Sequence, residues 1–260
     1  MAGRLEDRVA LVSGGSRGIG LAIAQAYWQE GARVAVLATD AQRLDEAVAT
    51  LGGAGERVMP WLADVADAGA CASAVEAVLA RWGRLDVLVN NAGIYRARSF
   101  LDYSAQDFQE ILDVNLFGVI HLMQAALPRM VEQGYGRIVN IASSAGKAGS
   151  RNQSAYNVSK HAVVGLTRCV ALESALSGVT VNAICPGFVQ TDMVEVLKTE
   201  VAQCAGVSEA QMLQAAVARV PMGRFLGTEE ITGLAVYLGS AESSGMTGQA
   251  ISVDGGLLTA

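Results

Sequence analysis

Proline, cysteine, histidine and charge are all scarce in this chain, and each shortage excludes something. Only 4 of 260 residues are proline, so no rigid Pro-rich linker divides the chain, and one domain over 1–260 is the simplest organisation. The 4 cysteines (Cys71, Cys169, Cys185 and Cys204) show no CxxC spacing, and His121 and His161 are the only histidines. That pattern builds neither a disulfide framework nor a zinc site; reduced, mostly buried thiols and no metal are expected. Charged residues are 17% of the chain, with a net charge of −6 and no Lys/Arg run, which argues against a nucleic-acid partner. The first apolar stretch, after Arg4, Glu6, Asp7 and Arg8, is too short for a signal or membrane segment, so a cytoplasmic protein without a membrane partner is expected.

What is abundant is apolar sequence and glycine, 52% and 29 residues respectively. Val9–Val12, Val34–Leu37, Val87–Val89, Ile138–Ile141 and Val179–Ile184 are short continuous apolar runs, as expected for strands buried on both faces of a parallel sheet. Between the first two, Ile19, Ala22, Ile23 and Ala26 form a helical stripe that Gly31 ends. Ala41–Leu51, Ala68–Trp82, Ser104–Val131 and Ser154–Leu176 read as further helices. The alternation predicts an α/β fold with one doubly wound parallel sheet. It breaks after Gly187: Met193–Arg219 is helical and amphipathic without a strand, as expected of a lid or substrate-binding insert. A helix near Glu229–Leu238 and a strand near Ala250–Val253 complete the chain.

Ser13-Gly14-Gly15-Ser16-Arg17-Gly18-Ile19-Gly20 links the first strand to the first helix. Glycines permit the tight turn, and the unpaired N–H groups of the helix N-terminus suit a pyrophosphate. The ribose of a dinucleotide would be read where the second strand ends, at Leu37-Ala38-Thr39-Asp40. An acid there favours NAD, whereas an arginine nearby favours NADP. Asp40 falls past the strand end, where it also suits a helix cap. With Arg17 in the glycine turn, NADP(H) is favoured over NAD(H).

Tyr156 and Lys160 stand four residues apart on a helix, one above the other. A phenol near 10 is a poor base at neutral pH, and making it titrate near 7 takes about 4 kcal/mol. A neighbouring ammonium and a positive nicotinamide ring would both favour the phenolate. Tyr-x-x-x-Lys alone reads first as a solvated helix edge, and only its context gives it weight. Here Ser143 ends the strand Ile138–Ile141, leading into a flexible stretch through Gly149, and its hydroxyl would polarise a carbonyl oxygen protonated by Tyr156; Ser144 is the rival.

Gly14-x-x-x-Gly18-x-Gly20, Asn90-Asn91-Ala92-Gly93, Asn115, Ser143, Tyr156-x-x-x-Lys160 and Pro186-Gly187, in that order, resemble the short-chain dehydrogenase/reductase family across essentially the whole chain. The resemblance implies a Rossmann-type sheet and a hydride transfer between nicotinamide and a ketone or secondary alcohol. It implies Tyr156 as acid/base, Lys160 as the group that lowers its pKa and holds the ribose, and Ser143 as the holder of the substrate oxygen. Asn115 would keep a proton-relay water, Asp64 beside Val65 would meet adenine, and Asn91, Ala92 and Gly93 would pass the adenosine ribose. Pro186, Gly187, Val189 and Thr191 would close over the nicotinamide. Val253-Asp254-Gly255-Gly256 matches a region buried between subunits, implying a homotetramer. A non-catalytic dinucleotide-binding subunit of the same fold is the alternative, and it would be expected to show a damaged tetrad.

Ser144, Tyr95, Phe188, Met193 and Val194 are candidates for the substrate pocket of a small carbonyl or alcohol, an acyl thioester included. The positions where fatty-acid reductases carry carrier-docking arginines are Gly134 and Ser177 here, which argues against a carrier-protein substrate. Arg96, Arg98, Lys147 and Arg151 would greet a carboxylate or coenzyme A thioester if they reach the cleft mouth, although each singly reads as solvated rim.

Overall fold

Val9–Ser13 forms the first strand (β1), and its alternate residues are buried on opposite sides: Ala10 and Val12 in one apolar cluster, Val9 and Leu11 in the other. This two-sided burial is what its unbroken apolar run requires. The strands that follow are β2 (Arg33–Ala38), β3 (Val58–Leu62), β4 (Val87–Asn90), β5 (Gly136–Ile141), β6 (Val179–Pro186) and β7 (Ala250–Val253). They make one seven-stranded sheet in the order β3-β2-β1-β4-β5-β6-β7, and every neighbouring pair is parallel. This computed structural model describes residues 3–259; Met1, Ala2 and Ala260, at the ends of the expected unit 1–260, lie outside the described residues.

Helices cover both faces. α1 (Gly18–Gln29), α2 (Ala41–Thr50) and, near the C-terminus, Glu229–Gly239 contribute Ile23, Tyr27, Leu44, Val48, Ile231 and Leu238 to one cluster. α3 (Ala68–Trp82), α4 (Ala105–Leu112), α5 (Gly118–Glu132) and α6 (Ser154–Ser174) lie on the other side, where Cys71, Val75, Leu122, Met130 and Val163 are buried. The expected insert consists of α7 (Asp192–Ala205) and α8 (Glu209–Ala218), and the Glu229–Gly239 helix is α9. Strand order reverses between β1 and β4, so the carboxyl ends of these two strands open a crevice where an α/β sheet binds its ligand.

Three expectations need correction. β3 was not anticipated: it is a half-exposed edge strand interrupted by Pro60, whose missing N–H is tolerated because β3 pairs only with β2. The helix expected over Ser104–Val131 is α4 and α5 joined by a π-helical turn, Asp113–Phe117. Its combined span Ala105–Glu132 is long and apolar enough to cross a membrane, yet Val119, Leu122, Met123, Ala126 and Met130 are buried against the rest of the fold. The four cysteines are unpaired, and Cys169 and Cys204 are exposed rather than buried.

One buried carboxylate ties the start of the sheet. Asp86 is fully buried, accepts from the Val9 backbone N–H at 2.9 Å, and pairs with Arg8 and Arg84. Asp86→Ala strands these donors and is expected to cost about 3 kcal/mol in urea denaturation.

Candidate active site

The glycine turn is held in place by the end of β4. Asn91 donates from its Nδ2 to the carbonyls of Ser13 and Gly14 at 3.2 and 3.0 Å, and the Ser13 hydroxyl accepts from the Asn91 N–H at 3.0 Å. Gly14 lies at φ 60°, and a Cβ on Gly20 would stand 2.2 Å from the Gly14 carbonyl oxygen. The turn therefore has room for backbone only. Arg17 precedes α1 without a side-chain cap, so the first N–H groups of the helix have no side-chain acceptor there. They face a crevice of about 710 Å³ lined by Gly14, Ser16, Arg17, Gly18, Ile19, Thr39, Asp64, Val65, Asn91, Ala92, Gly93 and Thr191, among others. This bare cradle at a helix N-terminus fits the pyrophosphate of a dinucleotide.

Two expected residues stand apart. Gly20 is buried behind the turn, where its part is close packing. Asp40 does not line the crevice: it caps α2, accepting from the Arg43 N–H at 3.1 Å. By contrast, Asp67 caps α3, which leaves Asp64 exposed at the crevice. A residue the sequence reading missed, Arg43, stands with Arg17 at the crevice, and Asp192 pairs with both, at 3.2 and 3.7 Å. All three are exposed, so each pair contributes no more than about 1 kcal/mol.

The crevice adjoins a cavity of about 160 Å³ at the ends of β5 and β6. Ser143, Ser144, Tyr95, Tyr156, Lys160, Pro186, Gly187, Phe188, Val189, Thr191, Met193 and Val194 all line it, as expected from the sequence. Asn157 on α6 donates to the carbonyls of Ala145 and Ala148 at 3.0 and 2.9 Å, binding the Ser143–Gly149 stretch to the helix that carries Tyr156. The Ser143 hydroxyl stands beside the Tyr156 phenol and favours its anion, and the Tyr95 ring packs edge-on against the Tyr156 ring, centroids 5.2 Å apart. Asn115 is fully buried and does not line the cavity. Its amide donates to the Ile94 carbonyl at 2.9 Å and to the Ser159 hydroxyl at 3.1 Å, and accepts from the Ile94 N–H at 2.8 Å. A surface amide is thereby ruled out: Asn115 fastens the loop after Gly93 to α6.

Burial pushes the Tyr156 phenol up to about 12, and the Ser143 hydroxyl pulls the other way. Burial also pushes the Lys160 ammonium down to about 8. Its Nζ donates to the Ile141 carbonyl at 2.9 Å and lies 5.7 Å from the Tyr156 ring centre. A cation beside the ring favours the phenolate over the phenol. The site thus holds a protonated phenol beside a cation that makes proton release cheaper.

A family model described as short chain dehydrogenase matches residues 8–202. The chain belongs to the short-chain dehydrogenase family. It is 38% identical over 255 residues to the 3-oxoacyl-(acyl-carrier-protein) reductase of Thermotoga maritima, covering 98% of this chain and 99% of that one. It is 36% identical over 254 residues to the D-beta-hydroxybutyrate dehydrogenase of Rhizobium meliloti, covering 96% and 98%. A crystal structure of an actinorhodin polyketide ketoreductase variant with NADPH superposes with a TM-score of 0.92 at 37% identity, covering 99% of both chains. This member of the family is an oxidoreductase that moves a hydride between a nicotinamide cofactor and a ketone or secondary alcohol.

Arg219, Ser150, Gln153, Leu197, Leu257 and Leu258 also line the cavity and were not anticipated. Of these, only Leu197 fell on a stripe visible in the sequence; Arg219 reaches the cavity from the end of α8, and the others through loops, the start of α6 and the chain end. Gly20→Ala is expected to displace the glycine turn and weaken dinucleotide binding about tenfold, measured by fluorescence titration.

Proposed function

We propose that the enzyme is an NADP(H)-dependent reductase of a small ketone, with Tyr156 as the proton donor. The observation that carries this reading is the joining of Ser143, Tyr156 and Lys160 in one cavity lined by no carboxylate, opening beside the glycine turn. Bound nicotinamide supplies or accepts the hydride at the substrate carbon. The Ser143 hydroxyl donates to the carbonyl oxygen and orients it towards Tyr156. As negative charge gathers on that oxygen, the phenol passes its proton to it, and Lys160 stabilises the phenolate left behind. Gln153, Tyr95, Phe188 and Met193 bound the substrate. Asn115 is a positioning residue, acting through the loop after Gly93 and, via Ser159, on the Tyr156 carbonyl, which accepts from the Ser159 hydroxyl at 2.7 Å. In alcohol oxidation each proton runs the opposite way.

Preference for NADP(H) is supported by Arg17 and Arg43 at the crevice, together with the engagement of Asp40 in capping α2. The bridge to Asp192 is weak enough to yield to a doubly charged 2′-phosphate. We further assign the whole chain to one catalytic unit in which α7 and α8 form the lid over the cavity. The homotetramer is supported by apolar side chains without cover, Leu172 and Leu176 at 81% and 104% exposure at the end of α6, and by the unpaired edge of β7. A reducing, cytoplasmic setting suits its unpaired thiols.

Tyr156→Phe is expected to abolish turnover while dinucleotide affinity stays within a few-fold; unchanged turnover would refute the mechanism. Reduction needs the ammonium charged, so its rate should hold through neutrality and fall as pH rises past about 8, where Lys160 loses its proton. Arg17→Ala combined with Arg43→Ala should weaken NADPH binding about tenfold or more in calorimetry with little change for NADH.

A further inference from the structure

The cavity that holds Tyr156 has one cation without an assigned task. Lys160 is turned to the Ile141 carbonyl and the phenol. The other lining cation is Arg219, at the C-terminal end of α8, and no Asp or Glu lines the cavity with it. Arg219 is exposed at the cavity rim; among the described residues its guanidinium meets neither a carboxylate within 4 Å nor any hydrogen-bond acceptor, and its backbone is fixed as the cap of α8.

The arginines expected from the sequence at the mouth are otherwise engaged. Arg96 pairs with Asp107 and Glu110, and Arg98 pairs with Asp107. Lys147 donates to the Ser252 hydroxyl at 3.0 Å, and Arg151 does not line the cavity. A chain of net charge −6 repels an anionic substrate at long range, so such a substrate needs a local cation to settle. The cavity, about 160 Å³, is small beside the neighbouring crevice and favours a compact molecule next to Tyr156. Phe188, Met193, Leu197 and Leu257, which also line it, offer apolar cover for a short carbon chain.

We propose that Arg219 binds the carboxylate of the substrate, and that the preferred substrates are short oxo acids and the matching hydroxy acids. This rests on the reading of Tyr156 as proton donor. Arg219 grips the acid end while the carbonyl oxygen lies between Ser143 and Tyr156, so α8 sets which end of the molecule reaches the phenol. A guanidinium–carboxylate pair is bidentate, which fixes orientation as well as adding affinity.

The test compares short oxo acids of three to six carbons with their methyl esters, using the enzyme with NADPH. For at least one acid the wild type should show kcat/KM about 10–100-fold above that of its ester, the range of a hydrogen-bonded charge pair. In Arg219→Met that ratio should fall to within a few-fold of one through KM, and Arg219→Lys should restore part of it. Thermal unfolding and NADPH affinity of each variant control for folding. Esters matching acids throughout, or a ratio that survives in Arg219→Met, would overturn the proposal. Calorimetric titration of the acids into the enzyme–NADPH complex separates the two readings. Acids that bind in an Arg219-dependent way without turnover would uphold the carboxylate site and overturn the reductase reading. Acids that fail to bind, alongside esters that turn over, would do the reverse.

Discussion

A buried ammonium with no carboxylate near it governs this site. Lys160 is nearly inaccessible, and its Nζ has a backbone carbonyl rather than an acid as partner. An aspartate or glutamate in the cavity would neutralise the field that Lys160 casts on Tyr156. With every lining position free of acid, that field falls on the phenol in a dry setting, where a charge acts over several ångströms with little screening. Burial alone would hold the phenol's proton too firmly for exchange; the neighbouring cation opposes that tendency. The parts that surround the pair keep this balance in place: Asn157 binds the Ser143 stretch to α6, Asn115 ties α6 to the loop after Gly93, and Asn91 joins that segment to the glycine turn. Three asparagine amides, each bonded to backbone, assemble the crevice and the cavity into one rigid unit.

Acidic residues gather instead at the crevice mouth. Asp64, Asp192 and Glu195 border the dinucleotide crevice, with Arg17 and Arg43 beside them. The two ends of the site therefore differ electrostatically: a solvated, mixed-sign mouth that forms and breaks exposed pairs easily, and an inner end lined by the buried Lys160, the exposed Arg219 and no carboxylate. Exposed pairs are weak because water competes for them, which suits a surface that must exchange its ligand each turnover.

Much of this was legible in the sequence. Five strands announced themselves as apolar runs, because strands buried on both faces admit little else. β3 did not, since an edge strand with one half-open face and Pro60 lacks that signature. The glycine turn, Ser143, Tyr156 and Lys160 were readable because backbone geometry and helical spacing dictate them. Asp40 was ambiguous for a physical reason: the same carboxylate at a strand end serves as ribose acceptor or helix cap, and only its bond to the Arg43 N–H distinguishes the two. Arg43 and Arg219 were invisible. Each reaches the site from a helix whose orientation over the sheet no local pattern encodes, whereas Arg96 and Arg98, nearer in sequence, are drawn off by Asp107.

The π-helical turn at Asp113–Phe117 separates two demands that a plain helix would merge. Such a turn absorbs one residue beyond the α-helical count while the helix on either side keeps its phase. α4 can therefore meet α6, and α5 can meet α3, whether or not the extra residue is there. What the extra residue changes is the direction of Asn115, which it turns onto Ile94 and Ser159. The length of this helix is therefore tied to where Asn115 makes its bonds, and through them to how the loop after Gly93 is fastened to α6.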